Sequence, residues 1–207
     1  MPTWSFSNFE IPVPTPLQLV WSLIGLLLTV GGTFLEASIA NFPWDWPQQG
    51  VKVYSLGVTY QVGAVLFVGC LGGKTAAFLS QVSYILLGLT WFPIFAQGGG
   101  WEYIGEPTFG YILGFVLGGW LCGVLSFWLP PRLEFLAISC FSGLLGIHVV
   151  GMSYLGILYT IQGKLSESLD PFWQDALMYS WHPLGSHAIV ACAIAAIAFF
   201  LRHILFY

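Results

Sequence analysis

Three consecutive glycines, Gly98, Gly99 and Gly100, are followed closely by Trp101, Tyr103, Thr108 and Tyr111. Residues of these types at this spacing suit the holding of a small molecule rather than its transformation. Glycine lets backbone N–H groups approach a ligand. An apolar run opening at Thr108-Phe109 would offer the free N–H groups of a helix N-terminus to an anionic group. The aromatic side chains add flat apolar faces with polar tips. A ligand with an apolar ring and a carboxylate fits this set.

Catalytic constellations are missing. Residues 69–75, GCLGGKT, invite a phosphate-loop reading, but that motif needs a glycine where Val68 stands. Neither Gly-x-Ser-x-Gly nor His-Glu-x-x-His occurs. The four cysteines, at 70, 122, 140 and 192, fall in apolar runs without metal-ligand spacing, and read as small packing residues. No catalytic residue, cofactor or metal is therefore expected. His203 lies near the C-terminus, and His148 falls mid-helix, where a polar group needs a partner. His182 and His187 flank the start of the last apolar run, where they either cap it or point into a cavity. Gln61 and Glu36 are polar residues within apolar runs and should face the bundle interior or its outer edge. Asp45 stands between Trp44 and Trp46, a set that serves as an interfacial belt or as a lid over a ligand.

The elements that position these residues follow from composition. The chain has 207 residues, 57% hydrophobic and 7% charged, with mean hydropathy +0.81. Soluble domains carry about 25% charged residues, so this is an integral membrane protein. A net charge of −4 with no basic patch gives no footing for nucleic acid. Spanning helices need ~20 apolar residues. Six such runs are expected, at about 17–40, 56–73, 76–96, 109–129, 133–161 and 183–201, after a short N-terminal segment 1–16 that does not resemble a signal peptide. The expected fold is all-α, one membrane domain over 1–207. Short links containing Lys74 and Arg132, with Arg202 near the end, alternate with longer aromatic and acidic links holding Asp45, Glu102, Glu106, Glu167, Asp170 and Asp175. Lys52 and Lys164 lie with the longer links. The positive-inside rule then puts both termini in the cytoplasm and the elaborate links outside. Gly110, Gly114 and Gly118 recur at four-residue spacing, which suits close helix packing inside the protein or docking of a partner or second copy.

Three stretches, in order, resemble the BioY family of biotin-uptake proteins. Residues 58–73, VTYQVGAVLFVGCLGG, resemble that family's P-I-T-L-Q-T segment. KTAAFLSQVSYILLGLTWFPIFAQGGG is similar to its Y-L-L-L-G-L…P-V-F-A-G-G-G, and EPTFGYILGFVLGGWLCG to its G-P-T-G-G-Y-L-L-G-F…G. The resemblance implies a substrate-binding S component of an energy-coupling factor transporter in a bacterial plasma membrane. It would bind biotin from the outer side, and an ATPase pair with a transmembrane coupling protein would drive uptake. The motif positions correspond to Gln61, Gln97, Gly98, Gly99, Gly100, Thr108, Gly110 and Tyr111. Trp101 joins them as a stacking surface and His187 as a polar contact, with Trp44, Asp45 and Trp46 as the lid. The family's P-F-x-x-G-D-x-x-K motif is altered here. The matching region is HPLGSHAIV, with His187 at the Asp position and Val190 at the Lys position. A related small vitamin, or a structural membrane subunit that transports nothing, are the alternatives.

Overall fold

In the computed structural model, residues 14–90, 92–164 and 168–206 are described; most of the 1–16 segment and Glu167 lie outside them. Helix α1, Pro16–Thr33, opens with a capping box in which Thr15 Oγ1 accepts from the Gln18 backbone and Gln18 Oε1 from that of Thr15. It stops well short of the expected position 40. The chain turns at Phe34-Leu35 into strand β1, Glu36–Ala40, antiparallel to β2, Val53–Thr59. Residues expected to begin the second helix therefore belong to a hairpin, and the fold is mostly rather than wholly α. The β2 sequence VYSLGVT is rich in residues that suit a pleated strand. Between the pairs Glu36–Thr59 and Ser38–Ser55 the ladder slips, and Gly57 takes a φ of 66° there. That left-handed bulge favours glycine and bends the strand.

Helix α2, Gln61–Thr90, has one residue with non-helical dihedrals, Gly73, at φ 77° and ψ −179°. A straight helix would hold residues 61 and 84 about 34 Å apart, yet Gln61 Nε2 donates to Tyr84 Oη at 2.8 Å. The two arms therefore fold back on each other at Gly73. A Cβ on Gly25 would meet both Val68 and Ser80, one from each arm. The two spans expected as separate helices are thus the two arms of α2, folded back at Gly73; counted as one continuous run, they are among five in the described residues long and apolar enough to cross a membrane. The run expected to reach Ala96 ends at Thr90.

Helices α3, Phe109–Trp128, and α4, Leu133–Ile161, fall where expected. Their glycines let the backbones touch: a Cβ on Gly114 would lie 2.6 Å from the Ile147 carbonyl oxygen, and one on Gly118 2.6 Å from that of Gly143. This stripe is spent on packing inside the chain. The last helix, α5, begins earlier than expected. Asp170–Ala176 runs through a π turn, Leu177–Trp181, into His182–Phe206. Arg202 is 5% exposed, and its Nη1 donates to the Ser126 carbonyl at 2.5 Å. It is folded into the bundle rather than free at the membrane edge. The core includes Val65, Leu66, Tyr84, Phe95, Phe115, Leu144 and Ile147. The outer face of α1, with Leu19, Leu23 and Leu27, is exposed and apolar, as lipid contact requires.

Candidate functional site

A cavity of about 330 Å³ opens at the end of the bundle that carries the hairpin and the 92–108 loop. Each wall has a structural origin. The bulge at Gly57 turns Val58 and Thr59 inward from β2. Gln61 and Val62 come from the first turn of α2, Tyr111, Ile112 and Phe115 from α3, and Ile147 and His148 from α4. Met178 and Tyr179 come from the π turn, and Pro183 and His187 from the helix after it. An extra residue in a helical turn re-aims the side chains that follow, and such turns recur at functional sites.

The wall is apolar with polar tips held in fixed orientations. Tyr84 Oη accepts from Gln61 and donates to the Ile94 carbonyl at 3.1 Å, which anchors Gln61 from behind. Tyr103 and Thr108 share a hydrogen bond at 3.1 Å. Burial raises the Tyr103 pKa, against a lowering by that bond, so the phenol stays neutral. Across the cavity, Ser180 Oγ bonds Tyr111 Oη at 2.7 Å and His148 Nδ1 at 3.1 Å. The His148 and His187 rings lie 5.6 Å apart, centroid to centroid. His148 Nε2 and His187 Nδ1 are buried without a hydrogen-bond partner in the protein. Such groups are costly to leave unpaired, and both residues line this cavity. Apart from these imidazoles and the tyrosines, no titratable side chain among the described residues lines it.

Of the residues expected at a site, Gln61, Thr108, Tyr111 and His187 meet on this cavity. The others are elsewhere. Gly99 packs on the end of α2: its Cβ would lie 2.7 Å from the carbonyl oxygens of Gly88 and Phe92. Gly100 N–H donates to the Gly88 carbonyl at 2.8 Å, and Gly98 exchanges backbone bonds with Phe95. The glycine triplet therefore docks a loop. Gly110 lies under Tyr154, whose Cβ would be 2.4 Å away from an added Cβ. Gln97 is exposed and touches Tyr103 through its backbone. Trp101 is 67% exposed and outside the lining. Trp44, Asp45 and Trp46 sit near the hairpin tip, where Trp44 stacks on Phe42 at 4.5 Å and Trp46 Nε1 donates to the Asn41 carbonyl at 2.9 Å. The nearer cover of the cavity is the hairpin base, Gly57 to Thr59. At the start of α3, Phe109 N–H donates to the Glu106 carbonyl and Tyr111 N–H to that of Thr108. These donors are already engaged.

His148, Ser180, Tyr179, Met178 and Thr59 were not expected at the site. His148 was legible as an intramembrane polar group in need of a partner, and Ser180 is that partner. The π turn and the bulge left no signal strong enough to place the rest.

The family model for BioY proteins matches residues 15–205. A probable biotin transporter BioY of Lysinibacillus sphaericus is 31% identical over 73% of this chain and 71% of its own length. The biotin transporter BioY of Thermotoga maritima is 32% identical over 58% and 72%, respectively. An uncharacterised 21.2 kDa protein of Cyanophora paradoxa is 28% identical over 90% and 95%. The fold is also similar to a 2.1 Å crystal structure of the S-component for biotin from an ECF-type ABC transporter, with a TM-score of 0.64 at 18% identity over 90% of both chains. With nearly the whole of its length matched, this multi-pass membrane chain belongs to the BioY family.

Proposed function

We propose that this protein is the substrate-binding membrane component for biotin uptake, and that it has no catalytic chemistry of its own. The observation that carries this is the cavity of about 330 Å³, apolar in its walls but ringed by Gln61, Thr108, Tyr111, His148 and His187. Small-ligand sites have volumes of roughly 300–1,000 Å³ and a few placed polar groups on apolar walls. Biotin matches that pattern: a ureido ring that both donates and accepts, a thioether and an apolar tail ending in a carboxylate. The imidazoles of His148 and His187, with the Gln61 amide, meet its polar atoms. Ile112, Phe115 and Ile147 line the path of the apolar parts. Nanomolar affinity requires about 12 kcal/mol, so the ligand must be nearly enclosed, and the hairpin base is placed to cover it.

We further propose that the cavity faces outward from a bacterial plasma membrane and that both termini are cytoplasmic. In support, the hairpin base, the 92–108 loop and the π turn all contribute to the cavity, while none of Lys74, Arg132 and Arg202 lines it. Transport would be driven by an ATPase pair and a transmembrane coupling protein, as the family assignment suggests.

Equilibrium binding of labelled biotin to the purified protein tests this. Saturable binding below micromolar concentration is expected. No binding at micromolar biotin would leave the structural-subunit reading. Because His187 and Val190 replace the family's usual Asp and Lys, displacement by related small vitamins is the informative control: if one of them outcompetes biotin, the fold's role stands and the ligand changes.

A further inference from the structure

Cys70 on the first arm of α2, Cys122 on α3 and Cys140 on α4 are far apart in sequence, yet their sulfurs converge. Cys70 Sγ lies 3.6 Å from Cys122 Sγ and 3.5 Å from Cys140 Sγ, and all three sulfurs fall within 4.8 Å of one another. All three side chains are 0% exposed. The cluster is remote from the ligand cavity, whose lining contains none of these residues. It stands three residues from the fold-back at Gly73.

We propose that Cys70, Cys122 and Cys140 form a binding site for one soft monovalent metal ion, Cu(I), which ties three helices together at the end of the bundle opposite the ligand cavity. Metal–sulfur bonds of about 2.3 Å in a trigonal plane, two from thiolates and one from a thiol, place sulfurs about 4.0 Å apart. The observed triangle needs to open by only a few tenths of an ångström on two edges. The donor set selects the metal. Structural zinc takes four ligands, and among the described residues no histidine, aspartate or glutamate joins these three sulfurs. Soft, sulfur-only coordination of low number favours Cu(I) over harder divalent ions.

Charge argues the same way. Binding through two thiolates balances as Cu⁺ plus two thiols giving one bis(thiolate) complex of charge −1 and two protons released, the third sulfur remaining a neutral thiol. Buried net charge is costly, and one cation stands close by. Arg202 donates from Nη1 to the Ser126 carbonyl at 2.5 Å. Ser126 Oγ in turn donates to the Cys122 carbonyl at 2.7 Å. Arg202 Nε is buried with no protein partner, so this guanidinium retains capacity to offset one negative charge. A divalent ion on three thiolates gives the same −1 but forfeits its preferred fourth ligand. A second cavity of about 480 Å³, lined by Gly72, Gly73, Lys74 and Gly123, comes as near as the residue next to Cys122 in the chain.

The test uses the full chain purified in detergent with reductant and without oxygen. Cu(I) is titrated in against a chromogenic Cu(I) chelator, with Zn(II) alone in parallel. One equivalent of Cu(I) retained per chain is expected, with no retained zinc. Cys122→Ser and Cys70→Ser should each lose the retained equivalent. Cys192→Ser should keep it, because Cys192 is exposed and apart from the cluster. Labelling with a small thiol reagent gives an independent readout that does not depend on how well variants fold. In the wild-type protein under partly unfolding conditions, where the buried thiols become open to the reagent, Cu(I) should slow labelling of the three clustered thiols and leave Cys192 reactive. Failure of wild type to retain Cu(I), equal loss in Cys192→Ser, retained zinc, or a disulfide among the three sulfurs in place of retained copper would each overturn the proposal. Biotin binding is measured on the same samples and bears on a different site, so the outcomes separate.

Discussion

The 92–108 loop and the wall of His148, Ser180 and His187 stand at the same end of the bundle, but they are built in opposite ways. The loop is rich in glycine and aromatic residues, and its glycine triplet, Phe95 and Tyr103 are engaged by the protein itself. Phe95 fills the space over Gly88, tilts against Tyr103 at 4.7 Å and meets Tyr84 edge-on at 5.2 Å. The wall is assembled from two distant helices and holds buried nitrogen atoms that the protein does not satisfy. Glycine marks close approach without saying whether the visitor is a ligand or another backbone. Unpaired buried polar atoms at a cavity discriminate better, because their cost has to be met by something outside the fold.

The largest expected effect tests the loop as packing. Gly88→Leu would put a Cβ 2.2 Å from the Phe95 ring, on a residue whose carbonyl holds Gly100. Overpacking of this kind costs about 3 kcal/mol or more. The unfolding midpoint in detergent should fall sharply and folded yield with it, before any question of affinity arises. A stable Gly88→Leu protein with weakened biotin binding would instead make the loop part of the site.

His187→Leu tests the wall. Loss of a ligand partner costs about 1–3 kcal/mol, so biotin affinity should fall about tenfold to a hundredfold. Stability should hold or rise, since an apolar group replaces a buried nitrogen without a partner in the protein. A smaller effect is expected for Tyr84→Phe, which leaves the Gln61 amide without its anchor. Stability should drop by about 1 kcal/mol, with a loss of affinity below that of His187→Leu. The smallest belongs to Trp44→Ala, where the ring is 70% exposed at the hairpin end. Thermal stability should move by no more than about 0.5 kcal/mol. A clear loss of biotin affinity would restore the lid role to the tryptophan loop.

Much of the fold was legible because the bilayer makes spanning helices obvious: α3 and α4 begin and end within a residue of the apolar runs that predict them. The errors fall where short-range chemistry competes with hydropathy. Residues 34–40 and 56–59 are apolar enough to read as helix, but pairing between strands satisfies their backbone and ends α1 at Thr33. The Gly72-Gly73-Lys74 link, by contrast, falls where expected, with Gly73 at the fold-back between the two arms of α2. Of the candidate site, Gln61, Thr108, Tyr111 and His187 were legible as polar residues near helix ends or on family motifs. His148 was visible only as a polar group needing a partner. Ser180 and Tyr179 depend on a π turn, and the Cys70, Cys122 and Cys140 cluster on helix packing; neither has a local sequence signature.

Equilibrium binding of labelled biotin to wild type, His187→Leu and Trp101→Ala, prepared side by side in one detergent, tests most directly where the ligand sits. Saturable binding by wild type, a loss of tenfold or more in His187→Leu by the cost of an unmet partner, and affinity within about twofold of wild type in Trp101→Ala, as for an exposed side chain, is the predicted order. Full affinity in His187→Leu together with its loss in Trp101→Ala would move the site from the cavity to the loop and contradict the account.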